Sequence, residues 1–251
     1  MNAFRLDNHL ALITGGGTGL GLAMARAMTE AGARVILTGR RREPLEQACA
    51  ELGKGAAFIQ HDINDLASIP GLIAQIEAQH GPLDIVVSNA GNHLKKFALD
   101  TSDEEFARVI HTHLFGGFAL CREAGRRMAE RGRGSLVLIA SMTALFGVPQ
   151  VAAYAAAKSA LVGLMRVLAV ELSPRGVRVN AIAPGWIETA LSLKALEGDP
   201  ARRARILQRT PMGRLGDTMD IGYAAVYLCS PAARYVNSVV LPVDGGMSSG
   251  F

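Results

Sequence analysis

The chain has 251 residues, 49% of them hydrophobic and 19% charged, which excludes disorder as its dominant state and leaves room for one large core. Its 26 Lys and Arg against 22 Asp and Glu give a net charge of +4, an excess spread along the chain and too mild to point to nucleic acid. Aromatics are only 5% while glycines number 28, a balance that favours tight strand-to-helix turns over an all-β sandwich.

The start, Met1-Asn2-Ala3-Phe4-Arg5-Leu6-Asp7-Asn8-His9, lacks the apolar stretch of a secretory signal. No run reads as about 18 consecutive apolar residues, so no membrane partner is expected. Cys49, Cys121 and Cys229 lie too far apart for a disulfide framework or a Cys-x-x-Cys metal site, and fit free thiols in a reducing cytoplasm.

In chain order, β-branched runs predict strands over 11–14, 35–38, 57–60, 85–88, 136–140, 177–183 and 239–243. Helical patterns fall between them over 20–31, 43–52, 66–79, 104–131, 154–172 and 218–229, with a break expected near Gly116-Gly117. Strands alternating with helices and apolar on both faces describe a doubly wound parallel α/β sheet in a single domain over 1–251. The stretch 187–215 breaks the rhythm. It follows a strand end, is long and charged, carries Pro200 and Pro211, and is expected to form a lid over a site at the carboxyl ends of the strands.

The first strand runs into Thr14-Gly15-Gly16-Gly17-Thr18-Gly19-Leu20-Gly21 and a helix begins at once. Glycines let backbone approach a pyrophosphate, which the helix N-terminus attracts, so this turn predicts nucleotide binding. The second strand should end at the group that reads the adenosine ribose. An acid there would bind a free 2′-hydroxyl, but Arg40, Arg41 and Arg42 stand there instead. Guanidinium binds a 2′-phosphate with charge-assisted bonds, so NADP(H) is expected over NAD(H), which remains possible.

Ser141 follows the fifth strand, and Tyr154-Ala155-Ala156-Ala157-Lys158 opens a helix, with Tyr154 and Lys158 on one face at i and i+4. Lowering a phenol from about 10 to about 7 takes roughly 4 kcal/mol. One cation about 4 Å away at an effective dielectric of about 20 supplies that. Lys158 is therefore expected to make Tyr154 a proton donor and acceptor at neutral pH, with Ser141 holding the reacting oxygen.

With these motifs in place the chain resembles the short-chain dehydrogenase/reductase family over essentially its whole length. The resemblance rests on Thr14-Gly15-x3-Gly19-x-Gly21, Asp62, Asn89-Ala90-Gly91, Ser141, Tyr154-x3-Lys158, Asn180, Pro184-Gly185 and Val243-Asp244-Gly245-Gly246. It implies seven strands in the order 3-2-1-4-5-6-7 and a homotetramer. It also implies that Asp62 and Ile63 contact the adenine and that Asn89 holds the region around the central strand. Pro184, Gly185, Ile187 and Thr189 would line the nicotinamide, and Lys158 would bind its ribose.

Two positions depart from the family pattern. Ser88 replaces the usual first Asn of Asn-Asn-Ala-Gly, and His113 stands where the family has an Asn that supports the lysine's proton relay. His113 is therefore a candidate catalytic residue, expected to act through hydrogen bonding. His111 and His113, two apart, diverge on a helix and make no metal pair. Arg126, Arg127, Arg131, Arg133, Arg202, Arg203 and Arg205 read as solvated helix faces.

The expected function is an NADP(H)-dependent oxidoreductase interconverting a secondary alcohol and a carbonyl. The Lys95-Lys96-Phe97 segment resembles the Arg-Lys-Pro segment of gluconate 5-dehydrogenase-like members, and a basic pair there suits a carboxylate such as a sugar acid. A 3-oxoacyl-thioester or cyclic-ketone reductase is the alternative within the family. A redox-inert nucleotide sensor on the same fold is the alternative from another class.

Overall fold

A computed structural model describes residues 3–249; the first two residues of the N-terminal stretch read above lie outside them. Seven strands form one parallel sheet: β1 Leu10–Thr14, β2 Arg34–Gly39, β3 Ala56–Gln60, β4 Ile85–Ser88, β5 Gly134–Ile139, β6 Val177–Pro184 and β7 Val240–Val243. Their order is β3-β2-β1-β4-β5-β6-β7, as the resemblance implied. β1 and β4 are buried along their length, because both faces of the central strands are covered by helices.

One face carries α1 (Gly19–Glu30), α2 (Arg42–Leu52) and α9 (Thr218–Cys229), which bury Met24, Met28, Leu45, Ile221 and Ala225 against Ile13, Val35 and Val87. The other carries α3 (Ile69–His80), α5 (Gly116–Arg131) and α6 (Ala152–Leu172), which bury Ile73, Leu120, Met128, Leu161 and Met165 against Leu12, Val86 and Leu136. Side chains of β1 thus alternate between the two cores, Leu12 to one and Ile13 to the other. The segment Ala152–Arg175 is long and apolar enough by composition to cross a membrane; here α6 instead packs Leu161, Met165 and Leu168 against the sheet. Arg127 and Arg131 are not simply solvated, since both pair with the largely buried Glu77 of α3, at 3.2 and 2.8 Å.

The expected break at Gly116-Gly117 is corrected. α4 (Asp103–Ile110) passes into one wide π turn, His111–Phe115, and α5 starts at the glycines. A Cβ on Gly116 would come within 2.7 Å of Ile63 Cγ1, and one on Gly117 within 3.2 Å of Ser88 Oγ. The glycines therefore let α5 press against its neighbours. The helix is opened just before them, at a turn type that often accompanies function.

The stretch after β6 is a folded excursion. Ile187 pairs with Gly216, the Gly216 N–H donates to Trp186 O at 2.9 Å, and the Glu188 N–H donates to Gly216 O at 2.8 Å. Between those ends lie α7 (Ala190–Leu196), capped by Thr189, and α8 (Pro200–Arg209), capped by Asp199. A small cluster of its own, Met142, Leu196, Ile206, Leu215 and Met247 with Trp186 and Phe146 beside it, holds the excursion to the body.

Candidate active site

The carboxyl ends of β1 and β4 diverge at the point where the sheet order reverses, and a cleft opens there. Thr14 and Asn89 clip the two ends together. The Thr14 hydroxyl accepts from the Asn89 and Ala90 N–H groups at 3.0 Å each, and Asn89 Nδ2 donates to Thr14 O at 2.9 Å. Gly21 has to be glycine, because a Cβ there would fall on the Gly15 carbonyl oxygen, and 2.9 Å from Asn89 Nδ2. Gly19 is different. At φ +55° its missing Cβ would meet only Thr189 Cγ2, at 3.9 Å, so the start of α1 faces a gap below the excursion. No side chain caps that helix start.

Gly15, Gly17, Thr18, Arg40, Arg41, Asp62, Ile63, Ala90 and Gly91 all line the one cleft, with His61, Asn64 and Asn92 not foreseen from sequence. Asp62 Oδ1 accepts from the Asn64 N–H at 3.0 Å, and Gln60 Nε2 donates to Arg40 O at 2.7 Å, which shapes the cleft wall beyond β2 and β3. Leu20 packs into the α1 core. Pro184 ends β6, and Gly185 brings that end within 2.6 Å of Asp244 Cα when a Cβ is placed on it. The Ile187 side chain is buried in the core, so only its backbone is available to the cleft. Asn180, fully buried, ties β6 to the loop before β7 through Val236 O at 3.0 Å and the Val239 N–H at 3.1 Å.

Ser141, Tyr154 and Lys158 come together at the end of β5 and the first turns of α6. Ser141 is buried; its Oγ accepts from the Thr143 N–H at 3.1 Å and is hydrogen-bonded with Tyr154. Lys158 Nζ donates to Ile139 O at 2.7 Å and lies 5.4 Å from the centre of the Tyr154 ring. That placement corrects the expected electrostatics. Burial raises the Tyr154 phenol above its ordinary value, opposed by the Ser141 hydrogen bond. The same burial pushes Lys158 down to about 7. The ammonium is anchored to the strand and faces the ring; the phenol is held protonated by desolvation.

His113 sits inside the π turn, 4% exposed, with its edge toward Tyr154 and the ring centres 5.4 Å apart. Its Nε2 lies 2.7 Å from Asn92 O, so that nitrogen carries the proton and donates, while the buried Nδ1 has no partner. Gly91 makes the room, since a Cβ there would fall on the imidazole. Burial foremost, with the nearby Lys158 charge, pushes His113 down to about 3, so it is neutral at physiological pH. Asn92 Nδ2 also donates to Thr112 Oγ1 at 3.0 Å, and Thr112 Oγ1 to Asn64 Oδ1 at 2.9 Å, which fixes the π turn. His111 points the other way, toward Asn64 at 3.3 Å.

The basic pair is divided. Lys96 is tied down by an ion pair with Glu105 at 2.8 Å and by a backbone bond to Gln150 O at 2.8 Å, so the expectation of a free basic pair is corrected. Lys95 is exposed, and its charge reaches His93. His93 was not foreseen; its ring centre lies 5.1 Å from that of Tyr154. Arg202 is a second correction. Arg203 and Arg205 face solvent, but Arg202 turns inward over Trp186, 5.4 Å from the ring centre. The spacing held the clue, because Arg202 and buried Ile206 lie four apart on one face of α8, and buried Thr210, which caps its end, continues the same spacing.

A family model described as "Enoyl-(Acyl carrier protein) reductase" matches residues 15–248. The chain belongs to the short-chain dehydrogenase/reductase family. As a member it is an oxidoreductase acting on CH–OH groups. It is 42% identical to the galactitol 2-dehydrogenase (L-tagatose-forming) of Cereibacter sphaeroides, over 97% of this chain and 96% of that one. It is 38% identical to the 2-dehydro-3-deoxy-D-gluconate 5-dehydrogenase of Bacillus subtilis, over 99% and 98%. Among solved structures, the gluconate 5-dehydrogenase from Burkholderia cenocepacia in complex with NADP and tartrate superposes with a TM-score of 0.95 at 34% identity, over 100% and 99%.

Proposed function

We propose that this short-chain dehydrogenase/reductase uses NADP(H) to interconvert a secondary alcohol and a carbonyl on a polar hydroxy or keto compound of the sugar-acid kind. The observation that carries the reading is the meeting of Ser141, Tyr154 and Lys158 beside the glycine-lined cleft. The gap at Gly19 and the uncapped start of α1 suit a pyrophosphate, and Arg40 and Arg41 suit a 2′-phosphate. Asp62 and Ile63 would take the adenine. Pro184, Gly185, the backbone of Ile187, and Thr189 would take the nicotinamide, which when bound supplies or accepts the hydride.

The protein's own groups handle the proton and the oxygen. Tyr154, kept protonated by burial, gives its hydroxyl proton to the carbonyl oxygen in reduction. Ser141 Oγ already accepts from the Thr143 N–H, so the hydrogen it shares with Tyr154 is the one that can turn to the same oxygen. Lys158, at about 7, takes up and releases a proton at neutral pH and so restores the one that Tyr154 gives away. His113, neutral, donates its Nε2 proton to Asn92 O, so it positions the Asn92 loop and the edge of the Tyr154 ring and passes no proton to the substrate.

The protein is cytoplasmic in this reading, which the buried free thiols of Cys121 and Cys229, both pushed up to about 12, support. It assembles as a homotetramer, supported by the exposed apolar side chains Phe118, Val167 and Val170 on α5 and α6. The test is a reductase and dehydrogenase screen with both nucleotides across keto-sugar acids, acetoacetyl thioesters and cyclic ketones, repeated with Arg40→Ala. A charge-assisted contact is worth about 1.5–3 kcal/mol, so the substitution should weaken NADPH by about one to two orders of magnitude and leave NADH nearly unchanged. Equal losses with both, or a wild type that prefers NADH, would contradict the cofactor assignment.

A further inference from the structure

Arg202 is the feature that neither the glycine cleft nor the Ser141, Tyr154 and Lys158 group absorbs. It is the third residue of α8, in the first turn, where its backbone N–H is satisfied by Asp199 Oδ1 at 2.9 Å, so the side chain is not needed to start the helix. The guanidinium stacks over Trp186, and its Nη1 is buried with no hydrogen-bond partner. Among the described residues no carboxylate comes within ion-pair distance of it. A buried guanidinium donor left without an acceptor is expensive, and a fold that holds one in place has a reason to keep it.

Its surroundings say where it points. Trp186 packs beside the cluster that includes Met142, the residue next to Ser141. On the other side, the Arg202 charge reaches His93, whose ring lies 5.1 Å from that of Tyr154. Arg202 is therefore within electrostatic reach of His93, the ring neighbour of Tyr154, while its platform Trp186 packs beside the neighbour of Ser141. Lys95 adds a second positive charge felt by His93, whereas Lys96 is neutralised by Glu105. A planar guanidinium set on an indole face, with a donor that no protein group satisfies, matches a carboxylate.

Taking Ser141 and Tyr154 as the groups that hold the reacting oxygen, we infer that Arg202 binds a carboxylate of the substrate, with Trp186 as its platform and Lys95 as a supporting charge. The substrate class is then an anionic hydroxy or keto acid, and a neutral polyol of the same carbon skeleton is the disfavoured partner. This separates two chemistries that the relatives' names leave side by side, galactitol and gluconate.

Trp186 is the single tryptophan of the chain, so its fluorescence reports directly on the proposed subsite. The protein saturated with NADP+ is titrated with D-gluconate, with tartrate, and with the neutral D-glucitol, in the wild type and in Arg202→Gln and Arg202→Lys. Saturable quenching or enhancement by a carboxylate is expected, about 10- to 100-fold weaker in Arg202→Gln and intermediate in Arg202→Lys, with any D-glucitol response unaffected. In steady-state reduction of a keto acid, the same substitution should raise KM by a similar factor while kcat stays within a few-fold. Circular dichroism and NADPH binding check that the variants are folded. Carboxylate binding unchanged in Arg202→Gln, or D-glucitol bound as tightly as D-gluconate, overturns the inference while Tyr154-dependent carbonyl reduction leaves the proposed function standing. Absence of any Tyr154-dependent reduction with either nucleotide overturns both.

Discussion

The two sides of the site are built by different means. The glycine turn at the end of β1 is held by backbone: Thr14 and Asn89 lock two strand ends, and Gly21 lies against the Gly15 carbonyl with no room for a side chain. The opposite wall is held by side chains from distant segments, where His93, His113 and Tyr154 meet ring to ring and Arg202 leans in from α8. The first side tolerates almost no change in shape and serves a ligand part common to many enzymes. The second can change its chemistry one residue at a time, and that is where the proposed reading sets substrate choice.

Substituting within the glycine turn should expose this contrast most strongly. Gly21→Ala puts a methyl onto the Gly15 carbonyl, and overpacking of that kind costs about 3 kcal/mol, so thermal unfolding should move sharply downward. Gly19→Ala meets open space instead. It pays only the left-handed backbone term of about 1–2 kcal/mol, and should weaken NADPH binding more than it lowers the melting temperature. If both variants lost stability equally, the distinction between a packed glycine and a ligand-facing one would fail.

On the side-chain wall, the expected effect is smaller and depends on pH. His113 has its protonation depressed from 6.5 to about 3, so between those values the unfolded chain binds a proton that the folded one does not. Stability from this group is therefore complete above about 6.5 and is lost as pH falls toward 3, by several kcal/mol in all. His113→Asn should flatten the acid limb of a stability–pH curve, leaving the parts due to His61 and His93, which are shifted in the same direction. Its pH–rate profile should keep the shape of the wild type's. An acid limb just as steep after the substitution would show that His113 is not buried neutral.

The same contrast explains what could be read from the sequence. The sheet order, the glycine turn, and the grouping of Ser141, Tyr154 and Lys158 were legible because period-2 runs, glycine spacing and an i, i+4 pair are local patterns. The π turn was not, because the Gly116-Gly117 pair looks like a helix breaker until Ile63 and Ser88 are seen pressed against it. Nor was the lysine's role: Lys158 shares a helix face with Tyr154, but Ile139 O takes its ammonium, and burial acts on both groups. Lys96 looked like a substrate contact because Glu105 lies nine residues further on and the fold alone brings them together. Arg202 looked solvated because two exposed arginines, Arg203 and Arg205, follow it on α8.

Tyr154→Phe tests the central claim most directly, since it keeps the ring between His93 and His113 and removes only the hydroxyl. NADPH affinity and carbonyl-reduction kcat are measured on the same preparation. The account predicts nucleotide binding equal to that of the wild type and a fall in kcat of about 10²–10⁴-fold, the range for losing a positioned general acid. A variant that bound NADPH normally and kept most of its turnover would contradict the account, because the proton would then come from a group other than Tyr154.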